Sequence, residues 1–254
     1  MHHETSDPRF ERHQASFQVE PAWYLEDNLV DSPHTDPGPR EPRPLLLALH
    51  GMGQDALRFH SDLHGQLDER FIVVYPDGPL PLEINEDGGT RREGHAWYIY
   101  TGDQERFLAS AIRSEAYLHD LIHQVMAMRS VDPRRVYLAG YSQGGYLAGI
   151  MALRRPDLFA GVATINSRVK NEIPPDRKSG DAKLPLLVLH GEKDRFIPVE
   201  VAEESANRLR DRDFPVTFKR YSSGHRFTEE QIKDLATWLD TIDRATDLDL
   251  SQTT

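Results

Sequence analysis

Between Val136 and Leu153 the chain passes from an apolar run, Val136-Tyr137-Leu138-Ala139, through Gly140-Tyr141-Ser142-Gln143-Gly144-Gly145, into a stretch with Leu147, Ile150 and Met151 on one face. The order is strand, glycine-flanked serine, helix. Such a junction turns sharply, and glycines let the backbone do so. The serine hydroxyl is left standing above the end of a sheet, so Ser142 is a candidate nucleophile. A chain carrying this junction must set a strand in a sheet and pack a helix directly against it.

The rest of the sequence repeats the same alternation. Apolar runs at Leu45–Leu49, Phe71–Tyr75, Val136–Ala139, Gly161–Ile165, Leu184–Leu189 and Val216–Tyr221 predict strands. Helical spacing predicts helices over 55–69, 106–129, 144–153 and 199–210, and a last one marked by Ile232, Leu235, Trp238, Leu239 and Ile242. Strands apolar on both faces, separated by helices, imply a mostly parallel central sheet covered on both sides. Phe17–Leu25 offers one or two edge strands interrupted by Pro21. Residues 31–44 hold too many prolines for a helix or a central strand and predict a surface connection. Residues 77–95 read as a long polar segment.

The 254 residues suffice for one large domain. The expected division is a flexible N-terminus over 1–15, a single domain over 16–242 and a polar C-terminal tail over 243–254. Only a short polar connection separates Ile165 from Leu184, too small for a large cap domain. No stretch approaches the roughly 20 apolar residues that span a bilayer. The N-terminus lacks the pattern of a signal peptide, from which a cytoplasmic location is expected. With no cysteine, disulfides, thiolate metal sites and a cysteine nucleophile are excluded. The net charge of −11 disfavours nucleic acid and anionic membranes as partners.

Ligands of such sheets sit beyond the carboxyl ends of the strands. There the sequence places His50-Gly51-Met52-Gly53-Gln54, a glycine-opened loop. Acyl transfer needs two backbone N–H donors aimed at the developing oxyanion. Gln143, which follows the serine, and Met52 are the candidates. His190-Gly191-Glu192-Lys193-Asp194 follows the next-to-last strand, and Asp194, with Glu192 as competitor, is the candidate acid. Ser222-Ser223-Gly224-His225 follows the last strand, and His225 is the candidate base. His50 and His190 read as structural. The resulting order Ser142, Asp194, His225 is distinct among serine hydrolases.

On these residues the chain resembles the carboxylesterase/phospholipase branch of the α/β-hydrolase superfamily, the group that includes acyl-protein thioesterases. The resemblance covers roughly Leu45 to Leu239. It rests on Leu-His-Gly-Met-Gly-Gln (49–54), Gly-Tyr-Ser-Gln-Gly-Gly (140–145), Leu-His-Gly-Glu-Lys-Asp (189–194) and Ser-Gly-His (223–225). It implies the α/β-hydrolase fold, with Ser142 as nucleophile, Asp194 as acid and His225 as base. It implies the amides of Met52 and Gln143 as oxyanion hole, and acyl esters or thioesters as substrates. It further implies no cofactor and no catalytic metal, and either a monomer or a homodimer. Trp97 and Tyr98 stand where relatives carry an aromatic pair beside the pocket, and are expected in the pocket wall. The 31–44 and 77–95 segments depart from the family pattern. A non-catalytic binding protein on the same fold is the rival class.

Overall fold

The computed structural model describes residues 20–28, 41–86, 88–173 and 184–251. The expected flexible N-terminus and most of the proline-rich 31–44 connection lie outside the described residues. Seven strands form the main sheet: β1 (Trp23–Glu26), β2 (Arg43–Leu49), β3 (Ile72–Pro76), β6 (Val131–Tyr141), β7 (Gly161–Ile165), β8 (Leu186–Gly191) and β9 (Val216–Tyr221). Their order is β1-β3-β2-β6-β7-β8-β9. All neighbours are parallel except β1, which runs antiparallel to β3 at the edge.

The strands are apolar on both faces because each face has its own core. Leu45, Leu47 and Leu49 of β2 join one cluster, and Leu46 and Ala48 join the other. Side chains alternate across a strand, so a continuous apolar run serves both sides. The first core is closed by helices α2 (Gln104–Met128), α3 (Gln143–Arg154) and α4 (Val199–Arg210), through residues such as Leu118, Ile150 and Leu209. The second is closed by α1 (Ala56–Leu63) and α5 (Glu229–Ser251), through Phe59, Leu63, Leu235 and Leu239.

Four sequence expectations require correction. Helix α1 stops at Leu63 rather than residue 69, because Gly65 takes a left-handed φ of 70° and breaks the turn. Strands β2 and β6 begin earlier than their apolar runs, at Arg43 and Val131. Pro44 and Pro133 are tolerated there because the pairing register shifts between Arg43 and Leu45.

The polar segment 77–95 is largely a hairpin of β4 (Leu80–Asn85) and β5 (Arg91–Ala96), a two-stranded sheet of its own. Gly88 and Gly89, at φ 92° and 81°, supply the turn that L side chains resist.

The polar tail is also corrected, since α5 continues through residues 243–251. Asp243 is fully buried and accepts hydrogen bonds from Arg70, Arg135 and Tyr137. This ionic anchor docks the helix where hydropathy offers nothing. Among the described residues no helix is long and apolar enough to cross a membrane.

Candidate active site

Strand β6 ends at Tyr141 and α3 begins at Gln143, so Ser142 alone makes the corner. Its backbone sits at φ 52°, ψ −114°, a conformation that non-glycine residues avoid. The corner is held from both sides. The Ser142 N–H donates to the Ile165 carbonyl at 2.9 Å, and the Ser142 carbonyl accepts from Tyr146 at 3.0 Å. Glycine is required beside it, because a Cβ on Gly144 would lie 2.5 Å from the Leu49 carbonyl oxygen and 2.6 Å from that of His50. Helix α3 thus crosses directly over the end of β2.

The structure brings Ser142, His225 and Asp194 together. Ser142 Oγ lies 2.8 Å from His225 Nε2, and His225 Nδ1 lies 2.7 Å from Asp194 Oδ2. An ionised carboxylate can only accept, so Nδ1 carries the proton and Nε2 is left to accept from the serine hydroxyl. The other Asp194 oxygen, Oδ1, accepts the N–H groups of Phe196 and Ile197 at 2.9 and 3.0 Å. The Asp194 side chain is fully buried, whereas that of His225 keeps 16 % of its surface. Glu192, the competing acid, is exposed.

The loops carrying the acid and the base are joined by backbone. Lys193 N–H donates to the Ser223 carbonyl, and Glu192 N–H donates to that of Tyr221, both at 2.8 Å. Asn166 adds a side-chain link. Its Oδ1 accepts from the Gly191 N–H at 3.0 Å and from Gln231 Nε2 at 3.1 Å. Tyr141 Oη donates to the His225 carbonyl at 3.0 Å. Sequence patterns do not reveal Asn166, since its role depends on two loops meeting.

The loop after β2 is fixed in turn. Gly51 N–H donates to Gln54 Oε1, Gln54 N–H to the Gly51 carbonyl, and Gly53 N–H to the His95 carbonyl of β5. His95 N–H returns a bond to the Gln54 carbonyl, and Arg92 Nη1 donates to the Gly53 carbonyl at 2.6 Å. The hairpin therefore grips this loop. Met52 stands at its tip with 65 % of its surface exposed. Gln143 opens α3, where first-turn N–H groups have no intrahelical partner. Its side chain accepts from Trp97 N–H at 2.8 Å and donates to the Tyr98 carbonyl at 3.0 Å.

Trp97 is corrected from pocket wall to core. It has no exposed surface, donates its indole N–H to the His50 carbonyl at 2.8 Å, and packs on the His50 ring. Tyr98 is buried as well, edge-on to Phe107. Exposed apolar surface beside His225 comes from a residue that sequence reasoning passed over. Phe196 is 81 % exposed and its ring centre lies 5.0 Å from that of His225. Its place two residues after Asp194 was the available signal.

His50 and His190 are structural, as their positions implied. Gly78 N–H donates to His50 Nε2 at 3.0 Å, and His50 Nδ1 donates to the Gly51 carbonyl at 2.7 Å. The ring must be neutral to make both bonds, and burial pushes its pKa down from 6.5 to about 4. His190 is fully buried, bonded to the Ile197 carbonyl, and burial lowers its pKa too.

Residues 31–243 match the family model described as phospholipase/carboxylesterase. The chain is 26% identical over 220 residues to acyl-protein thioesterase 1 of Emericella nidulans, covering 78% of this chain and 89% of the relative. It is 26% identical over 216 residues to carboxylesterase SOBER1 of Arabidopsis thaliana, covering 78% and 90% respectively. Its fold is similar to that of the Bacillus cereus carboxylesterase, with a TM-score of 0.67 over 87% of this chain and 94% of that one, at 17% identity. With its mostly parallel sheet, helices on both faces and, among the described residues, no large cap, the chain belongs to the phospholipase/carboxylesterase family of α/β-hydrolases and is a carboxylic ester hydrolase.

Proposed function

We propose that this chain is a serine carboxylesterase acting on short to medium acyl esters through an acyl-enzyme intermediate. The observation that carries the reading is the continuous hydrogen-bond chain from Ser142 through His225 to the buried Asp194.

In this mechanism His225 takes the proton from Ser142 Oγ as that oxygen attacks the ester carbonyl. Asp194 holds the imidazole in the required tautomer and stabilises the imidazolium. The N–H groups of Met52 and Gln143 receive the oxyanion, each worth on the order of 3 kcal/mol in the transition state. The bond to the alcohol then breaks, and His225 Nε2 gives the departing oxygen its proton. Water, deprotonated by the same imidazole, attacks the acyl-serine, and the acid leaves with Ser142 restored. Every proton moves through one ring nitrogen, which neither a cofactor nor a metal has to assist. The exposed Phe196 ring supplies apolar surface beside the reacting centre for the acyl or alcohol group.

A second reading, thioesterase or lysophospholipase, uses the same residues and is favoured by the similarity to acyl-protein thioesterase 1 of Emericella nidulans. The test is hydrolysis of p-nitrophenyl esters from acetate to palmitate, with an acyl thioester alongside and Ser142→Ala as control. A Ser142-dependent maximum at short or medium chains supports the carboxylesterase. A maximum at long chains, or a preference for the thioester, transfers the assignment to the second reading. If turnover on every substrate survives Ser142→Ala, or if the wild-type serine resists a fluorophosphonate, the mechanism fails.

A further inference from the structure

Away from the triad, three side chains converge: Glu26 at the end of β1, His60 in the last turn of α1, and His64, the residue that caps that helix. One donor atom from each lies within 4.8 Å of the other two. His64 Nδ1 is 3.0 Å from Glu26 Oε1, and His60 Nε2 is 3.4 Å from Glu26 Oε2. We propose that Glu26, His60 and His64 bind a divalent transition-metal ion of the zinc class, joining edge strand β1 to helix α1.

The donor types and their spacing support this. His60 in the last turn of α1 and the cap residue His64 stand four residues apart, and their ring centres lie 4.8 Å from each other. Two imidazoles and a carboxylate form a nitrogen-and-oxygen set suited to a borderline cation such as Zn²⁺. Metal–ligand bonds of ~2.0–2.1 Å set the edges of a tetrahedron at about 3.4 Å. Each histidine stands near that separation from its own oxygen of Glu26, His64 from Oε1 and His60 from Oε2, so the ion would draw one of these oxygens toward both rings. Neighbouring groups already hold the donors. Tyr75 Oη donates to Glu26 Oε2 at 3.1 Å, and the His60 ring meets Tyr75 edge-on at 5.0 Å. Such partners orient a ligand before the ion arrives. The His64 side chain is 62 % exposed, which leaves a path for the ion and room for water in the fourth position.

The site would be structural in character. Strand β1 has four residues and, among the described residues, a single neighbour, β3. An ion held between Glu26 and α1 would close a loop that runs from residue 26 to residue 60, a constraint that stabilises the folded chain. Helix α1 itself starts directly after the loop that carries Met52.

The experiment is equilibrium dialysis of the full chain against Zn²⁺, paired with thermal melts with zinc and with excess chelator. One ion per chain is expected, with a Tm that rises with zinc and returns on chelation. His64→Gln and Glu26→Gln should each weaken binding at least about tenfold while the circular dichroism spectrum is retained. His64 is exposed, so its variant is expected to fold. The control is the double variant His119→Gln/His123→Gln, which removes a second pair of rings, on α2, whose Nε2 atoms lie 3.3 Å apart. That variant should bind as the wild type does. Absence of saturable binding, binding untouched by the Glu26 and His64 variants, or binding lost in the α2 variant would each overturn the proposal.

Discussion

Asn166 Nδ2 donates to the backbone carbonyl of Arg226 at 2.7 Å. The same amide accepts the Gly191 N–H, so one buried side chain ties the loop of Asp194 to the loop of His225. Its own backbone lies at φ 46°, where asparagine is tolerated better than most residues. Asn166→Ala removes these bonds and is expected to cost at least about 2 kcal/mol of stability. It should lower kcat on a soluble ester by about tenfold or more with little change in KM, since the substrate does not touch it. Asn166→Gly should recover the backbone share of the stability but none of the kcat. An unaltered kcat in both variants would mean that the loops hold themselves.

Gly94 faces the loop of Met52 so closely that an added Cβ would lie 2.3 Å from the Gly53 carbonyl oxygen. Gly94→Ala must displace that loop or the hairpin. We expect kcat to drop by roughly tenfold or more, in line with a misplaced oxyanion donor, and far-ultraviolet circular dichroism to stay the same. Steady-state kinetics on one ester decides it. Wild-type kcat would show that the hairpin does not set the loop.

Acid should weaken the fold through its buried histidines. In the unfolded chain His50 titrates near its ordinary 6.5, and in the folded chain near about 4. His190 is shifted in the same direction. Between those values the unfolded state binds more protons, so stability is complete above pH 6.5 and is lost as pH falls toward 4. For His50 the span corresponds to about 3 kcal/mol. Urea midpoints should fall steadily from pH 7 to 5, and His50→Gln should flatten the slope. Equal slopes in the two proteins would remove His50 from the account.

Asp243 has no exposed surface and neutralises Arg70 and Arg135. Asp243→Asn leaves both guanidinium groups without their shared anion, at a cost of about 3–5 kcal/mol. A large drop in Tm is expected, together with fraying of the last turns of α5. A Tm within a degree or two of wild type would make the anchor ornamental.

The alternation of apolar runs and helical stripes was enough to read the sheet, because both faces of β2, β6, β7 and β8 are buried and hydropathy reports burial directly. The ends of those strands supplied Ser142, Asp194 and His225, and a parallel sheet gathers its strand ends on one side. What stayed hidden depended on polar contacts between distant segments. The last turns of α5 have no apolar stripe, and the meeting of Asp243 with Arg70 and Arg135, together with that of Asp247 with Arg135, holds them. The β4–β5 hairpin did carry a signal, Leu80, Leu82 and Ile84 alternating ahead of Gly88-Gly89, but its charged residues masked it. Trp97 was expected in the pocket wall on the resemblance alone, and hydropathy does not separate an aromatic that lines a pocket from one packed beneath it.

The hairpin holds the loop of Met52 through peptide groups, one arginine and a missing methyl. None of these involves the outward side chains of Pro81, Glu83, Asn85, Arg91 and Glu93, which are exposed. Mutational drift can therefore rewrite that outer surface, in charge and in shape, while the chemistry it borders is inherited intact. In this chain the hairpin is thus a place where substitutions can accumulate beside the candidate site and remain mechanically separate from it.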